Sequence, residues 1–113
     1  MKKIVEYSII TGRPVEVFES INRSLGQYKR NNSRYKIGIT GRHPQSRFDE
    51  HLRNDSNWAR MVVLYETTSL RYANNLEKML IDHHWSYIHN QKPGGGSFLC
   101  EEGKNFLYVL LGN

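Results

Sequence analysis

The chain has 113 residues, of which 38% are hydrophobic and 12% aromatic, and its formal net charge is +5. This length fits one domain, and the apolar fraction excludes a wholly disordered chain. Cys100 is the only cysteine, which excludes an internal disulfide, and no apolar run approaches the ~20 residues of a membrane span. We therefore expect one domain over residues 1–113, located in the cytoplasm and without a membrane partner.

The positive charge is concentrated in the first half of the sequence. Residues 1–53 carry 11 Lys and Arg against 5 Asp and Glu (+6), whereas residues 54–113 carry 5 against 6 (−1). Eight of the basic residues lie between Arg23 and Arg53. A local positive field attracts polyanions, because each neutralised phosphate releases condensed counterions. The charge distribution therefore favours a nucleic-acid partner.

Hydrophobic periodicity predicts an alternation of strands and helices. The predicted strands are residues 4–11, 35–40 and 61–65. The predicted helices are residues 14–25, 44–53 and 70–84, the first of them ending at Gly26. A glycine-rich loop covers residues 90–97, and the apolar run 106–111 fits either a helix or a strand. This alternation predicts a small α/β or α+β domain.

Glu77 lies at the margin of the apolar stripe of the third predicted helix. It follows Ala73 by four residues and precedes Leu80 by three. Burial of a lone carboxylate is costly unless a cation or hydrogen bonds compensate it. The alternatives are a carboxylate with a chemical role and a boundary glutamate whose head reaches water.

A second group of polar residues follows the predicted strand 35–40. The strand contains Lys36-Ile37-Gly38, and a glycine there allows close approach of a ligand to the backbone. Arg47 and His51 are four residues apart and so share one face of the next helix. They would offer a phosphate-binding guanidinium and a group for proton transfer.

These segments together resemble the GIY-YIG nuclease superfamily, and particularly its branch with Lys-Ile-Gly at the second motif, common in phage and mobile-element proteins. The resemblance extends from Tyr35 to Asn90, about half of the chain. It consists of four short motifs in the family's order: Tyr35-Lys36-Ile37-Gly38-Ile39-Thr40, Arg47 with His51, Glu77, and Asn90 before a glycine-rich stretch.

The resemblance implies a role for each of these residues. Arg47 would contact the scissile phosphate, and Glu77 would bind a single Mg²⁺ or Mn²⁺. His51 would hydrogen-bond near the nucleophile or assist as a base. Lys36, which replaces the usual tyrosine of the second motif, would contact the phosphate or lower the pKa of a neighbouring base. Asn90 would maintain the geometry of the site.

This sequence differs from the family pattern at the first motif. Members carry a tyrosine that activates water, on a strand paired with the Lys-Ile-Gly strand. Tyr28 is the favoured candidate, in a degenerate Gly-x-Tyr with residues 31–33 as the hairpin turn. Tyr7, on the opening strand, is the alternative, and residues 14–25 would then be an inserted helix.

The resemblance implies a three-stranded antiparallel sheet flanked by helices, with a motif core at residues 26–97 and an N-terminal strand and helix at 3–25. The expected function is metal-dependent hydrolysis of DNA, or alternatively RNA, one strand per active site, in a bacterial host cell. Double-strand cleavage would need a homodimer or successive nicks. The rival function is a non-catalytic nucleic-acid-binding module. The expected contacts to nucleic acid are Arg30, Arg34, Arg42, Arg53 and Lys92.

Overall fold

The computed structural model describes residues 3–84 and 103–112. Within these ranges, strands and helices alternate along the chain. Their order is β1 (Ile4–Ile10), α1 (Pro14–Asn31), β2 (Arg34–Thr40), α2 (Pro44–Asn54), β3 (Trp58–Thr67), α3 (Leu70–His84) and β4 (Asn105–Gly112). No helix in the described ranges has the length and apolar character needed to cross a membrane.

The strands form one mixed sheet in the order β1-β3-β4-β2. β4 lies between β2 and β3 and is antiparallel to both, whereas β1 pairs with β3 in parallel. The mixed α/β class is confirmed, but the expected three-stranded antiparallel sheet is wrong because β1 adds a fourth strand. β1 pairs there because Val5 and Ile9 then pack against the hydrophobic cluster beneath α2.

Helix α1 continues past Gly26, where the sequence predicted its end. Ile21, Leu25 and Tyr28 lie at four- and three-residue steps and continue one apolar stripe, so packing outweighs the helix-breaking tendency of one glycine. The helix ends at Asn31, and the Nδ2 of Asn32 donates to the carbonyl of Tyr28 over 3.0 Å. The predicted hairpin turn at residues 31–33 is therefore wrong, because these residues connect α1 to β2 and no strand precedes them there.

The two faces of the sheet carry separate hydrophobic clusters. Helices α1 and α3 cover one face, with Ile21, Leu25, Leu76 and Leu80 packed on it. Helix α2 covers the other, where the buried residues are Phe48, Trp58, Met61, Val63, Tyr108 and Leu110. Alternation along β2 places Ile37 and Ile39 on the first face and Arg34, Lys36 and Gly38 on the face of α2.

The ambiguous run 106–111 is the inner strand β4. Leu107 and Val109 pack on the face of α1 and α3, while Tyr108 and Leu110 pack on the face of α2. A strand buried on both faces is apolar at successive positions, so its sequence lacks the alternation typical of a half-exposed strand.

Candidate active site

Helix α2 places two of the predicted site residues against the sheet. Pro44 occupies its first turn, and the Nδ1 of His43 accepts a hydrogen bond from the backbone N–H of Gln45 over 3.2 Å. Phe48 anchors the helix in the cluster on this face. Arg47 and His51 then point to the same region, as their four-residue spacing predicted, and His51 is only 7% exposed.

The residue that they meet is Tyr108 of β4. The Nε2 of His51 is 2.8 Å from the hydroxyl oxygen of Tyr108, and the Nε of Arg47 donates to the same oxygen over 3.4 Å. The ring of Tyr108 is buried and crosses that of His51 edge to face, with 5.7 Å between centroids. These contacts join α2 to the inner strand of the sheet.

The chemistry of these groups determines the direction of the bond from Arg47, and the tautomer of His51 determines the direction of the other. A guanidinium can only donate, so the oxygen of Tyr108 accepts from Arg47. The hydroxyl proton of Tyr108 then remains available for the Nε2 of His51. The phenol donates to the imidazole tautomer that has its own proton on Nδ1, whereas His51 donates to the phenol oxygen when its proton is on Nε2.

The pKa values of the two residues agree with this arrangement. Burial lowers the pKa of His51 to about 4, and the charges of Arg47 and Lys36 act in the same direction. Burial also raises the pKa of Tyr108 to about 12, although Arg47 opposes this effect. At neutral pH the imidazole is therefore neutral and the phenol keeps its proton.

Lys36 and Arg47 bring positive charge to the same place. Burial lowers the pKa of Lys36, and the nearby charge of Arg47 lowers it further. The Nη1 of Arg47 also donates to Glu50 over 2.7 Å, and Arg42 forms an ion pair with the same carboxylate. The hydrogen bond from Arg47 is the main cause of the lowered pKa of Glu50. Glu50 is therefore ionised at neutral pH and orients both guanidinium groups.

A cleft of about 300 Å³ opens beside this group of side chains. Three cations, one carboxylate and three other side chains line it: Arg34, Lys36, Arg47, Asp55, His51, Asn54 and Trp58. Because three cations face one carboxylate, the cleft is positively charged and suited to an anionic ligand.

Glu77 lies on α3 and is 1% exposed, so the alternative that its head reaches water is wrong. Its charge contributes to the raised pKa of Tyr108, which means that the two groups interact electrostatically. Among residues 3–84 and 103–112, no group of three or more His, Cys, Asp or Glu could hold a metal ion. As a metal ligand, Glu77 would therefore act with at most one further His, Cys, Asp or Glu from the described part of the chain.

No model of a known protein family, no curated protein and no solved structure matches this chain.

Neither of the two predicted tyrosines pairs with the Lys-Ile-Gly strand. Tyr28 is on α1, packed against the cluster on the other face of the sheet, with the guanidinium carbon of Arg60 5.4 Å from the centre of its ring. Tyr7 is on β1, three strands away from β2, a separation of about 14 Å. Its side chain is 53% exposed. Both assignments to this strand pair are wrong, because β2 pairs only with β4 among the described strands.

The predicted nucleic-acid contacts divide into two groups. Arg34 lines the cleft, and Arg42 is joined to Arg47 through Glu50. Arg30 and Arg53 are exposed, on α1 and α2 respectively, and do not line the cleft. Asn90 and Lys92 lie outside the described residues.

Tyr108 was not among the site residues predicted from the sequence, because the two candidate tyrosines, Tyr7 and Tyr28, both precede the Lys-Ile-Gly strand. One signal was present: Phe106, Tyr108 and Leu110 alternate within the run left open as helix or strand. A glycine in a strand is typical of a position where a bulky neighbour approaches closely, and Gly38 lies directly opposite Tyr108.

Proposed function

We propose that this protein is a metal-dependent endonuclease that hydrolyses phosphodiester bonds in DNA, one strand per active site. The observation that carries the proposal is the position of Tyr108. The resemblance implies a tyrosine on the strand paired with Lys36-Ile37-Gly38, and Tyr108 lies on β4, which pairs with β2. The hydroxyl of Tyr108 lies within hydrogen-bond reach of both His51 and Arg47.

This assignment reverses the order of the first two motifs along the chain. The strand with the tyrosine follows the Lys-Ile-Gly strand instead of preceding it, as in a circular permutation of the family's arrangement. β4 lies between β2 and β3 and is antiparallel to both, which supports the proposal. β1 is then an addition to this antiparallel core.

Tyr108 and His51 supply a path for a proton in the proposed reaction. The phenol proton of Tyr108 moves to the Nε2 of His51 as the oxygen of Tyr108 takes a proton from the attacking water. The neutral state of His51 is necessary for this step, because a protonated imidazole has no free lone pair. Arg47 donates to the same oxygen and stabilises negative charge that develops on it.

Arg47 and Lys36 would bind the phosphate and stabilise its charge. Negative charge increases on the phosphate oxygens as water attacks phosphorus, and preorganised cations stabilise that charge. Glu50 holds Arg47 in place, so little reorganisation is needed when the phosphate enters. The bond between phosphorus and the 3′ oxygen would break, and that oxygen would take a proton from solvent water to leave as a 3′-hydroxyl.

Glu77 would hold the metal ion that the resemblance implies. One carboxylate is a sufficient protein ligand for Mg²⁺, which keeps several waters and binds phosphate oxygens, so the donor set fits. When bound, the ion would supply Lewis-acid stabilisation of charge on the phosphate. Glu77 and Tyr108 are each 1% exposed and neither lines the cleft, and α3 packs on the face of the sheet opposite α2. These positions favour the second candidate function, a binding module without turnover, because a hydrated ion and an attacking water need access to the groups that bind or activate them.

Incubation with supercoiled plasmid tests the proposal. We expect relaxed or linear product with Mg²⁺ or Mn²⁺ and none with EDTA. The variant Glu77→Gln should bind DNA in a gel shift without cutting it. Glu19→Gln, which alters an exposed carboxylate on α1, is the matched control and should cut normally. Cleavage by Glu77→Gln at the parent rate would refute the metal assignment, and salt-sensitive binding without any product would favour the binding module.

A further inference from the structure

The cleft extends beyond the residues assigned to the reacting phosphate. Arg47 and His51 line one part of it, and Arg34, Asp55 and Trp58 line another. The second group has no part in the chemistry proposed above. The geometry of this second group nevertheless resembles that of a preorganised anion-binding site.

Arg34 is held by contacts of two kinds. Its guanidinium carbon lies 4.3 Å from the centre of the Trp58 ring, and its Nη2 donates to the Oδ2 of Asp55 over 2.6 Å. Trp58 is 4% exposed, so it supports the guanidinium and offers no open face for a base. A guanidinium has five N–H donors in a rigid plane, and the bond to Asp55 uses one edge of it.

Asp55 is itself fixed where α2 ends. Its backbone N–H donates to the carbonyl of His51 over 2.8 Å, and its Oδ1 accepts from the backbone N–H of Asn57 over 3.0 Å. The guanidinium of Arg34 is therefore positioned by the same helix that positions His51 and Arg47. Side chains fixed in this way lose little conformational entropy when a ligand binds.

The spacing along β2 relates Arg34 to the reacting phosphate. Arg34 and Lys36 lie on the same face of the strand, two residues apart, which corresponds to about 7 Å between their Cα atoms. This is close to the separation of neighbouring phosphates along a nucleic-acid strand. A phosphate at Lys36 and Arg47 would therefore place the adjoining phosphate of the same strand at Arg34.

We propose that Arg34, supported by Trp58 and Asp55, forms a second phosphate subsite, which binds the phosphate next to the one that is cleaved. The proposal rests on the proposed function of the same cleft and narrows its substrate class. The protein then prefers a strand with at least two consecutive phosphates over an isolated phosphodiester. Arg34 is a positioning residue that acts on substrate binding.

Competition binding in EDTA tests this without any cleavage. A labelled single-stranded oligonucleotide is displaced by a thymidine dinucleotide with one internal phosphodiester, or by the same dinucleotide with phosphates on both ends. We expect the terminal phosphates to increase affinity for the parent protein about tenfold, the effect of one charge-assisted hydrogen-bonded contact. Having phosphates on both ends covers either direction of the bound strand.

Single-residue variants show which side chain is responsible for the gain in affinity from the terminal phosphates. Arg34→Gln should abolish the gain, and Arg34→Lys, which keeps the charge without the planar fork, should retain part of it. Arg71→Gln removes an exposed arginine of α3, outside the cleft, and should retain all of it. Equal affinity of the parent protein for both dinucleotides, or a full gain in folded Arg34→Gln, would overturn the proposal. Failure of the plasmid assay would instead concern the proposed function, because this experiment measures binding alone.

Discussion

The hydroxyl of Tyr108 lies directly over Gly38, its partner across the β2–β4 pair. A Cβ atom on Gly38 would be 2.5 Å from that oxygen and 2.6 Å from the Cζ of the ring. The absence of a side chain on Gly38 therefore makes room for the tyrosine. The glycine of Lys36-Ile37-Gly38 is explained by the packing of Tyr108 as well as by any approach of a ligand.

Gly38→Ala should destabilise the protein and displace the hydroxyl of Tyr108 from His51. Overpacking of a buried site costs about 1–3 kcal/mol, and the ring is held on its other sides by the cluster beneath α2. We expect a lower midpoint in urea unfolding and a loss of plasmid cleavage.

Gly26→Ala is the matched control for this change. Gly26 lies inside α1, where an added Cβ would meet only the Nη1 of Arg30 at 3.8 Å. Alanine in a helix interior is favoured over glycine by about 0.5–1 kcal/mol, so this variant should be more stable than the parent protein. Destabilisation by Gly26→Ala and none by Gly38→Ala would contradict the packing argument.

Tyr108→Phe should greatly reduce cleavage while leaving DNA binding unchanged. The ring still fills its position on β4, but the path for the proton to His51 is lost. General acid–base groups contribute about 10²–10⁴-fold to rates, and we expect a decrease in that range in single-turnover cleavage. Stability should decrease by about 1–3 kcal/mol, since buried His51 loses a hydrogen-bond partner.

The substitutions Tyr28→Phe and Tyr7→Phe test whether a loss of cleavage is specific to Tyr108 or follows from the loss of any tyrosine hydroxyl. Tyr28→Phe alters the opposite face of the sheet, and Tyr7→Phe alters an exposed position on β1. Both variants should cleave at nearly the parent rate. If either loses activity while Tyr108→Phe keeps it, the proposed role of Tyr108 is wrong.

Stability should decrease as the pH is lowered from 6.5 towards 4, partly because of His51. Burial, Arg47 and Lys36 lower its pKa in the folded protein to about 4, from 6.5. Within this window the unfolded chain binds a proton that the folded protein does not. The free energy of unfolding therefore decreases as the pH is lowered. One group contributes at most about 1.4 kcal/mol per pH unit.

Urea unfolding at a series of pH values measures this effect. His51→Gln should show a shallower dependence than the parent protein between pH 6.5 and 4, and the two curves should run parallel above pH 7. Identical slopes in the acidic window would show that His51 is not held neutral by its surroundings.

Local patterns in the sequence determined most of the elements and part of the site. The four-residue spacing of Arg47 and His51 was enough to place them on one helix face, because a helix repeats every 3.6 residues whatever lies around it. The strand predicted at residues 35–40 is likewise present, as β2. The predicted end of α1 at Gly26 was wrong. Tyr28 packs against a hydrophobic cluster formed by distant parts of the chain, and this packing outweighs the helix-breaking tendency of Gly26. Local helix propensity does not include such a contact.

Only the tertiary structure decided which strand lies beside β2. Strand pairing depends on burial and hydrogen bonds between segments far apart in the chain, and Gly38 and Tyr108 are brought opposite each other by that pairing alone. β4 is apolar along its whole length because both of its faces are covered, so its own sequence does not reveal its neighbours. The tyrosine that meets His51 and Arg47 could therefore be identified only after the sheet was assembled.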